Sequence, residues 1–260
     1  MNKTEKIELA TSAVKSLIGA IPYGGALINE IAFDYRSRIK QERLNGFTNL
    51  LAEFFIDHPD TNIENLKTEE FSDLFESVLH KVSQTRSKEK HKRFRDILTL
   101  HIQNQELGTE NSEIYLELVS SLNEISIHIL KEHQEFKKAH DILITLTHGV
   151  EVEIKSKQSH LNEIFAHETI EKIFNNDLKK EVEVLQQKLD NYKEQIQKIQ
   201  LFRKAAFYGL ADDEFLYYKQ ILLSKGLLID SGVGSMGHIP FLYMSITQFG
   251  NKFIEFLLAD

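Results

Sequence analysis

Apolar residues recur at three- and four-residue spacing along most of the chain, which predicts amphipathic helices throughout. Residues 5–20 place Leu9, Ala13, Leu17 and Ala20 on one face, and Ile21-Pro22-Tyr23-Gly24-Gly25 then breaks the pattern. A second helix is predicted over 26–57, carrying Leu27, Ile31, Leu44, Phe47, Leu50, Leu51 and Phe54. Two more are predicted over 67–106. One is marked by Phe71, Leu74, Phe75, Val78 and Leu79, the other by Phe94, Ile97, Leu98 and His101. Residues 108–112 read as a linker, with Ser112 an N-cap candidate for a helix over 113–140. The stretch 141–154 fits either a continuing helix or a short hairpin about Gly149, since it is β-prone and too short for periodicity to decide.

The most regular signal lies at 174–203. Phe174, Leu178, Val182, Leu185, Leu189, Tyr192, Ile196 and Ile199 follow a heptad seam of alternating three- and four-residue steps, with Lys and Glu at most other positions. Such a seam needs a partner helix. An antiparallel hairpin within the chain and a homodimeric coiled coil both satisfy it.

The last fifty residues change from pure helix to a mixed pattern. Asp212 or Asp213 can cap a helix running to Lys225, and Gly226 supplies a left-handed stop. A short strand at 227–229, a glycine-rich tip at 231–237, a returning strand at 241–246 and a last helix capped by Thr247 follow. The segments SKGLLID and SITQFGNKFIEFL, in that order, resemble the second half of a bacterial winged-helix domain, where a Gly-Leu turn leads into the wing and T-x-x-G-x-x-F opens the final helix. The resemblance implies a winged-helix-like domain assembled from 113–136 and 206–260, with a helical arm, 140–205, inserted in it. The N-terminal segment SLIGAIPYGGALINEIAFDYRSRIKQERLNGFTNLLAEFF, with its IP-x-x-G hairpin and basic following helix, resembles abortive-infection alpha-type proteins of bacteria. That likeness implies a part in phage defence or stress response.

Composition narrows the function classes. The 260 residues are 42% hydrophobic and 27% charged, enough to bury a core and too apolar for wholesale disorder. Only Pro22, Pro59 and Pro240 interrupt the chain, in keeping with long helices. The absence of cysteine excludes disulfides, thiolate zinc sites and cysteine nucleophiles. Residues 1–8 are polar, without a signal-peptide stretch, so a cytoplasmic location is the expectation. The net charge of −8 weighs against wrapping a long duplex.

Each chemical motif has a plainer reading beside it. His167-Glu168 begins like a zincin but lacks the second histidine, and His128, His133 and His140 miss the usual ligand spacing. The G-x-G-x-x-G at 232–237 is followed by Pro240 and a strand rather than a helix, so a wing loop fits it better than a dinucleotide site. No catalytic residue, metal site or cofactor is expected. The run Arg86, Lys88, Lys90, Lys92, Arg93 and Arg95 reads as a solvated helix face, or as a basic patch for an acidic partner or nucleic acid; Arg36, Arg38, Lys40 and Arg43 form a second cluster. On the candidate recognition helix the first turn is acidic and the wing tip carries no Lys or Arg, so duplex binding is disfavoured. The apolar stretch around 16–33 is too short to span a bilayer, so membrane insertion is disfavoured as well.

The expectation is an all-α protein with a small β-wing, comprising a helical domain near 1–107 and a winged-helix-like domain from 113 to 260 with a coiled-coil insertion. The function expected is non-enzymatic: a protein partner or a homodimer bound through the arm seam, Leu178, Val182, Leu185, Leu189, Tyr192, Ile196 and Ile199. The runner-up is a DNA-binding regulator, and a membrane-active effector is the third reading.

Overall fold

A computed structural model describes residues 37–58, 68–103, 109–165 and 172–258. Eight α-helices, two short 3-10 turns and one two-stranded antiparallel sheet make up the regular structure of these residues. The chain divides into two compact units, Met1–Asn123 and Glu124–Asp260.

In the first unit, α1 (Ser37–Asp57) and α4 (Thr109–Ser121) each pack on both α2 (Glu69–Gln84) and α3 (Lys88–Gln103). The periodicity selects the buried faces. Leu44, Phe47 and Leu51 come from α1, Phe71, Leu74, Phe75, Val78 and Val82 from α2, Phe94, Ile97 and Leu98 from α3, and Leu116, Val119 and Leu122 from α4 or its end. Each fully buried large side chain contributes about 1.5–3 kcal/mol. The polar ends are closed locally. Thr68 Oγ1 accepts the Phe71 N–H at 3.2 Å to cap α2, and Arg43 Nη1 donates to the Ser83 carbonyl at 2.6 Å near that helix's other end.

Two expectations for this region change. Ser112 is not a cap, because α4 already begins at Thr109; the hydroxyl is buried inside the helix, 3.3 Å from His101 Nδ1. The helix expected over 113–140 is two helices, interrupted at Leu122 and Asn123, and its first part belongs to the N-terminal unit. Leu122 fits the helical spacing because it is itself buried, so the apolar pattern runs across the break without registering it.

The second unit is organised by α5 (Glu124–Phe165), 42 residues long. Its first part packs against α7 (Asp212–Ser224), β2 (Met244–Ile246), α8 (Gln248–Leu258) and the short 3-10 turn Gln200–Arg203, enclosing Ile129, Leu130, Phe202, Phe215, Leu222, Met244 and Phe253. Its remainder pairs with α6 (Lys172–Ile199). The open question at 141–154 resolves as helix: Leu143, Thr147, Val150 and Ile154 are buried at steps of four, three and four, a spacing only a helix presents on one side. Gly149, with about 1 kcal/mol less helix propensity than alanine, does not interrupt it.

The strand β1 (Leu228–Asp230) pairs with β2 in the register Leu228↔Ile246, Ile229↔Ser245, Asp230↔Met244. β1 is shifted by one residue from the expected 227–229, and β2 is shorter than the expected 241–246. Gly226 at φ +69° ends α7 as expected, passing its N–H to the Leu223 carbonyl. The start of α7 differs. Ala211 stands at the cap, which leaves Asp212 and Asp213 in the first turn; the capping interaction is Glu214 Oε2 accepting the Ala211 N–H at 3.4 Å.

The T-x-x-G sequence has a direct structural reason. Thr247 Oγ1 accepts the Gly250 N–H at 2.9 Å and donates to the Gly226 carbonyl at 2.7 Å, which ties α8 to the start of β1. Gly250 is buried against the Leu227 carbonyl, where a β-carbon would collide with backbone and with the Ile246 side chain. Gly250→Ala is therefore expected to destabilise by about 1–2 kcal/mol, although alanine gains about 1 kcal/mol in helix propensity. Gly46→Ala in α1 meets nothing within 4 Å and serves as the control of opposite sign. Urea melts of the two variants check this; destabilisation absent from Gly250→Ala would refute the close-approach account.

Candidate interaction site

The loop between β1 and β2 is held from below and apolar above. Asp230 accepts the Gly232 N–H at Oδ1 (3.0 Å) and the Phe241 N–H at Oδ2 (2.8 Å). The Phe241 bond first, and the Gly232 bond after it, holds this carboxyl below the usual carboxylate range. His238 Nε2 lies 3.3 Å from the same Oδ2. On the other side Lys219 Nζ donates to the Phe241 carbonyl at 2.8 Å. Phe241 is thereby clamped at φ +64°, a left-handed conformation that costs a non-glycine residue about 1–3 kcal/mol. Outward face Val233 at 73% exposure, Ile239 at 60% and Met236 fully exposed, with Leu242 and Tyr243 half in solvent.

Cations near this loop point inward. Lys219 lies 4.5 Å above the Phe215 ring, and burial pulls its ammonium pKa down. The Arg203 guanidinium sits among Phe136 (4.8 Å), Tyr243 (5.2 Å) and Phe202 (5.7 Å), its pKa likewise lowered by burial. Beneath it His133 is buried, with Nδ1 donating to the Ile129 carbonyl at 2.8 Å and its ring edge-on to Phe202.

The heptad seam is taken up within the chain. Leu189 is buried with Val150 and Ile154 of α5, and Val182, Leu185 and Tyr192 pack against that cluster. Lys157 meets Glu181 at 2.7 Å and Lys193 meets Glu151 at 3.6 Å, a pairing that makes α5 and α6 antiparallel. Leu178, Ile196 and Ile199 are half-buried along the same helix. Apolar groups remain outside the seam: Ile142 and Leu146 on one flank of α5, Ile144 and Val152 on another, and Val184 of α6.

The basic run divides. Arg86, Lys88 and Lys92 line a groove of about 510 Å³ with Ile39, Glu42, Arg43, Gly46, Leu50 and His91. Lys90 instead donates to the Ser120 carbonyl at 2.7 Å, and Arg95 is paired with Asp96. Arg93 is half-buried on α3, outside the groove lining. Arg43 meets Arg86, Lys88 and Lys92 although they fall in two clusters far apart in the sequence, which carries no signal for their distance in space.

Among the described residues no group of three or more His, Asp or Glu is arranged to hold a metal, and no helix is long and apolar enough to cross a membrane. The His167-Glu168 sequence, the 16–33 hairpin and Arg36 lie outside the described residues. Comparison of the chain with known protein families, with curated sequences and with solved structures finds no match.

Proposed function

We propose that this chain is a non-enzymatic interaction protein that engages a protein partner, and that its C-terminal half is a winged-helix-like module adapted to that use. The observation that carries the reading is the β1–β2 loop. Residues 231–243 contain no Lys, Arg, Asp or Glu, and their large exposed side chains, Val233, Met236, Ile239, Leu242 and Tyr243, are apolar or aromatic beside the small exposed hydroxyls of Ser231 and Ser235. Exposed apolar groups on a fixed loop suit the dry centre of a protein interface. A phosphate backbone calls for cations instead. Those nearby, Lys219 and Arg203, are committed to the carbonyl and rings described above. The first turn of α7 presents Asp212, Asp213 and Glu214, which repel phosphate, so this geometry lends the DNA-binding reading no support. The exposed flanks of the α5–α6 arm offer additional contact area. On the resemblance of its N-terminal segment to abortive-infection alpha-type proteins, the complex serves bacterial phage defence or stress response.

A photo-activatable amino acid at position 236 tests this in cells of the native host. A discrete protein adduct is expected, lost when Ile239 and Val233 are both changed to Asp and absent when the probe stands at exposed Lys252. Adducts with nucleic acid, or submicromolar, salt-sensitive duplex binding that the same Asp changes abolish, would give the loop to the DNA-binding reading instead.

A further inference from the structure

The groove of the N-terminal unit is built from residues that the loop reading does not use. Ile39, Glu42, Arg43, Gly46 and Leu50 recur at three- and four-residue steps on α1, and Arg86, Lys88, His91 and Lys92 face them from the α2–α3 connection and the start of α3. Four cations oppose one carboxylate, Glu42, in a chain whose net charge is −8. Burial lowers the pKa of His91, against the raising effect of the hydrogen bond its Nε2 donates to the Thr85 carbonyl at 2.9 Å. Arg86 and Lys88 are exposed and have no acidic partner among the described residues. Lys92 shares Glu89 across an exposed pair at 3.1 Å, a contact easily exchanged for a better one.

The centre of the groove is apolar. Ile39 and Leu50 flank Gly46, where an added β-carbon would meet nothing within 4 Å. A glycine inside a helix costs about 1 kcal/mol relative to alanine, and here its effect is to leave the groove open.

We infer that this groove binds an acidic segment of a protein partner, which lays an apolar side chain over Gly46 between Ile39 and Leu50 and sets carboxylates against Arg43, Arg86, Lys88 and Lys92. An apolar centre with a charged rim is the anatomy of a protein interface. Small-molecule sites instead converge several buried polar groups on their ligand. The two partly covered polar groups here, Arg43 and His91, already spend hydrogen bonds on the Ser83 and Thr85 carbonyls. Single-stranded nucleic acid wants aromatic platforms for its bases, and the lining has no Phe, Tyr or Trp. Free phosphate would leave the apolar floor in water.

The test uses the full chain and a fluorescein-labelled glutamate-rich peptide with leucines at helical spacing, read by anisotropy. Binding that weakens with salt is expected, reduced at least about tenfold in Arg86→Glu/Lys88→Glu. Gly46→Leu, which fills the floor and keeps every charge, is expected to reduce it as strongly. The same peptide with lysines for glutamates is expected not to bind. Methyl resonances of Ile39 and Leu50 should shift during titration of the unmodified chain, which keeps the test decisive if a variant fails to fold. Absence of peptide binding, binding indifferent to Gly46→Leu in a folded variant, unmoved Ile39 and Leu50 methyls, or tighter binding of a thymidine oligonucleotide would each overturn the inference. The loop proposal stands or falls separately, since its probe and variants lie in the other unit.

Discussion

Leu185→Lys together with Leu189→Lys is expected to unzip the α5–α6 hairpin and to cost the C-terminal unit at least about 4 kcal/mol. Truncating one buried leucine to alanine typically costs about 2–5 kcal/mol through lost transfer energy and the cavity it leaves. A lysine also brings an ammonium to a seam whose opposing residues, Val150 and Ile154, offer it no acceptor. Circular dichroism should show loss of helix at a lower midpoint. The pairs Lys157–Glu181 and Lys193–Glu151 are exposed and cannot hold the helices together alone, since such pairs contribute about 0–1 kcal/mol each. Light scattering on the unmodified chain separates the alternatives: a dimer dissociated by these changes, with monomer stability untouched, would assign the seam to self-association.

The second large effect is acid sensitivity through His133. Its imidazole is buried and its pKa is depressed from the ordinary 6.5 to about 4, first by desolvation and then by the charges of Arg203 and Lys219, against the raising effect of the Ile129 hydrogen bond. A histidine with a depressed folded pKa is neutral in both states above pH 6.5. As pH falls through 6.5 the unfolded chain takes up a proton the folded one refuses. Stability is therefore full above 6.5 and drains away between 6.5 and about 4, by about 3 kcal/mol for a shift of this size. The Asp230 carboxyl, with its pKa lowered, loses its contribution as acid protonates it. Urea melts from pH 7 to 4 on the unmodified chain and on His133→Gln isolate the histidine share. Equal slopes in the two proteins would remove His133 from the account.

Some features were plain in the sequence for physical reasons. The heptad seam, the stop at Gly226 and the Thr247–Gly250 motif each encode a local geometry that few residue types satisfy. The break at Leu122 and Asn123 is hidden because no Pro or Gly marks it and its first residue, Leu122, is buried on schedule. Helix ends were off by a residue or more where the capping group was backbone or came from downstream, as at Ala211. The groove was invisible because Arg43 and Arg86 are separated by a whole helix and charge runs carry no information about tertiary neighbours. The apolar loop is legible from its composition, since Val233, Met236 and Ile239 stand in the sequence among glycines with no charged residue between them.

One continuous helix, α5, is both the floor of the C-terminal core and one rail of the arm. At about 1.5 Å per residue its 42 residues run some 60 Å. With no proline along it, a transverse pull at the far end works as torque on a rigid lever, delivered to the packing around Leu130, His133 and Phe202. A partner seated on the arm would thus load the packing around His133 mechanically, at a distance.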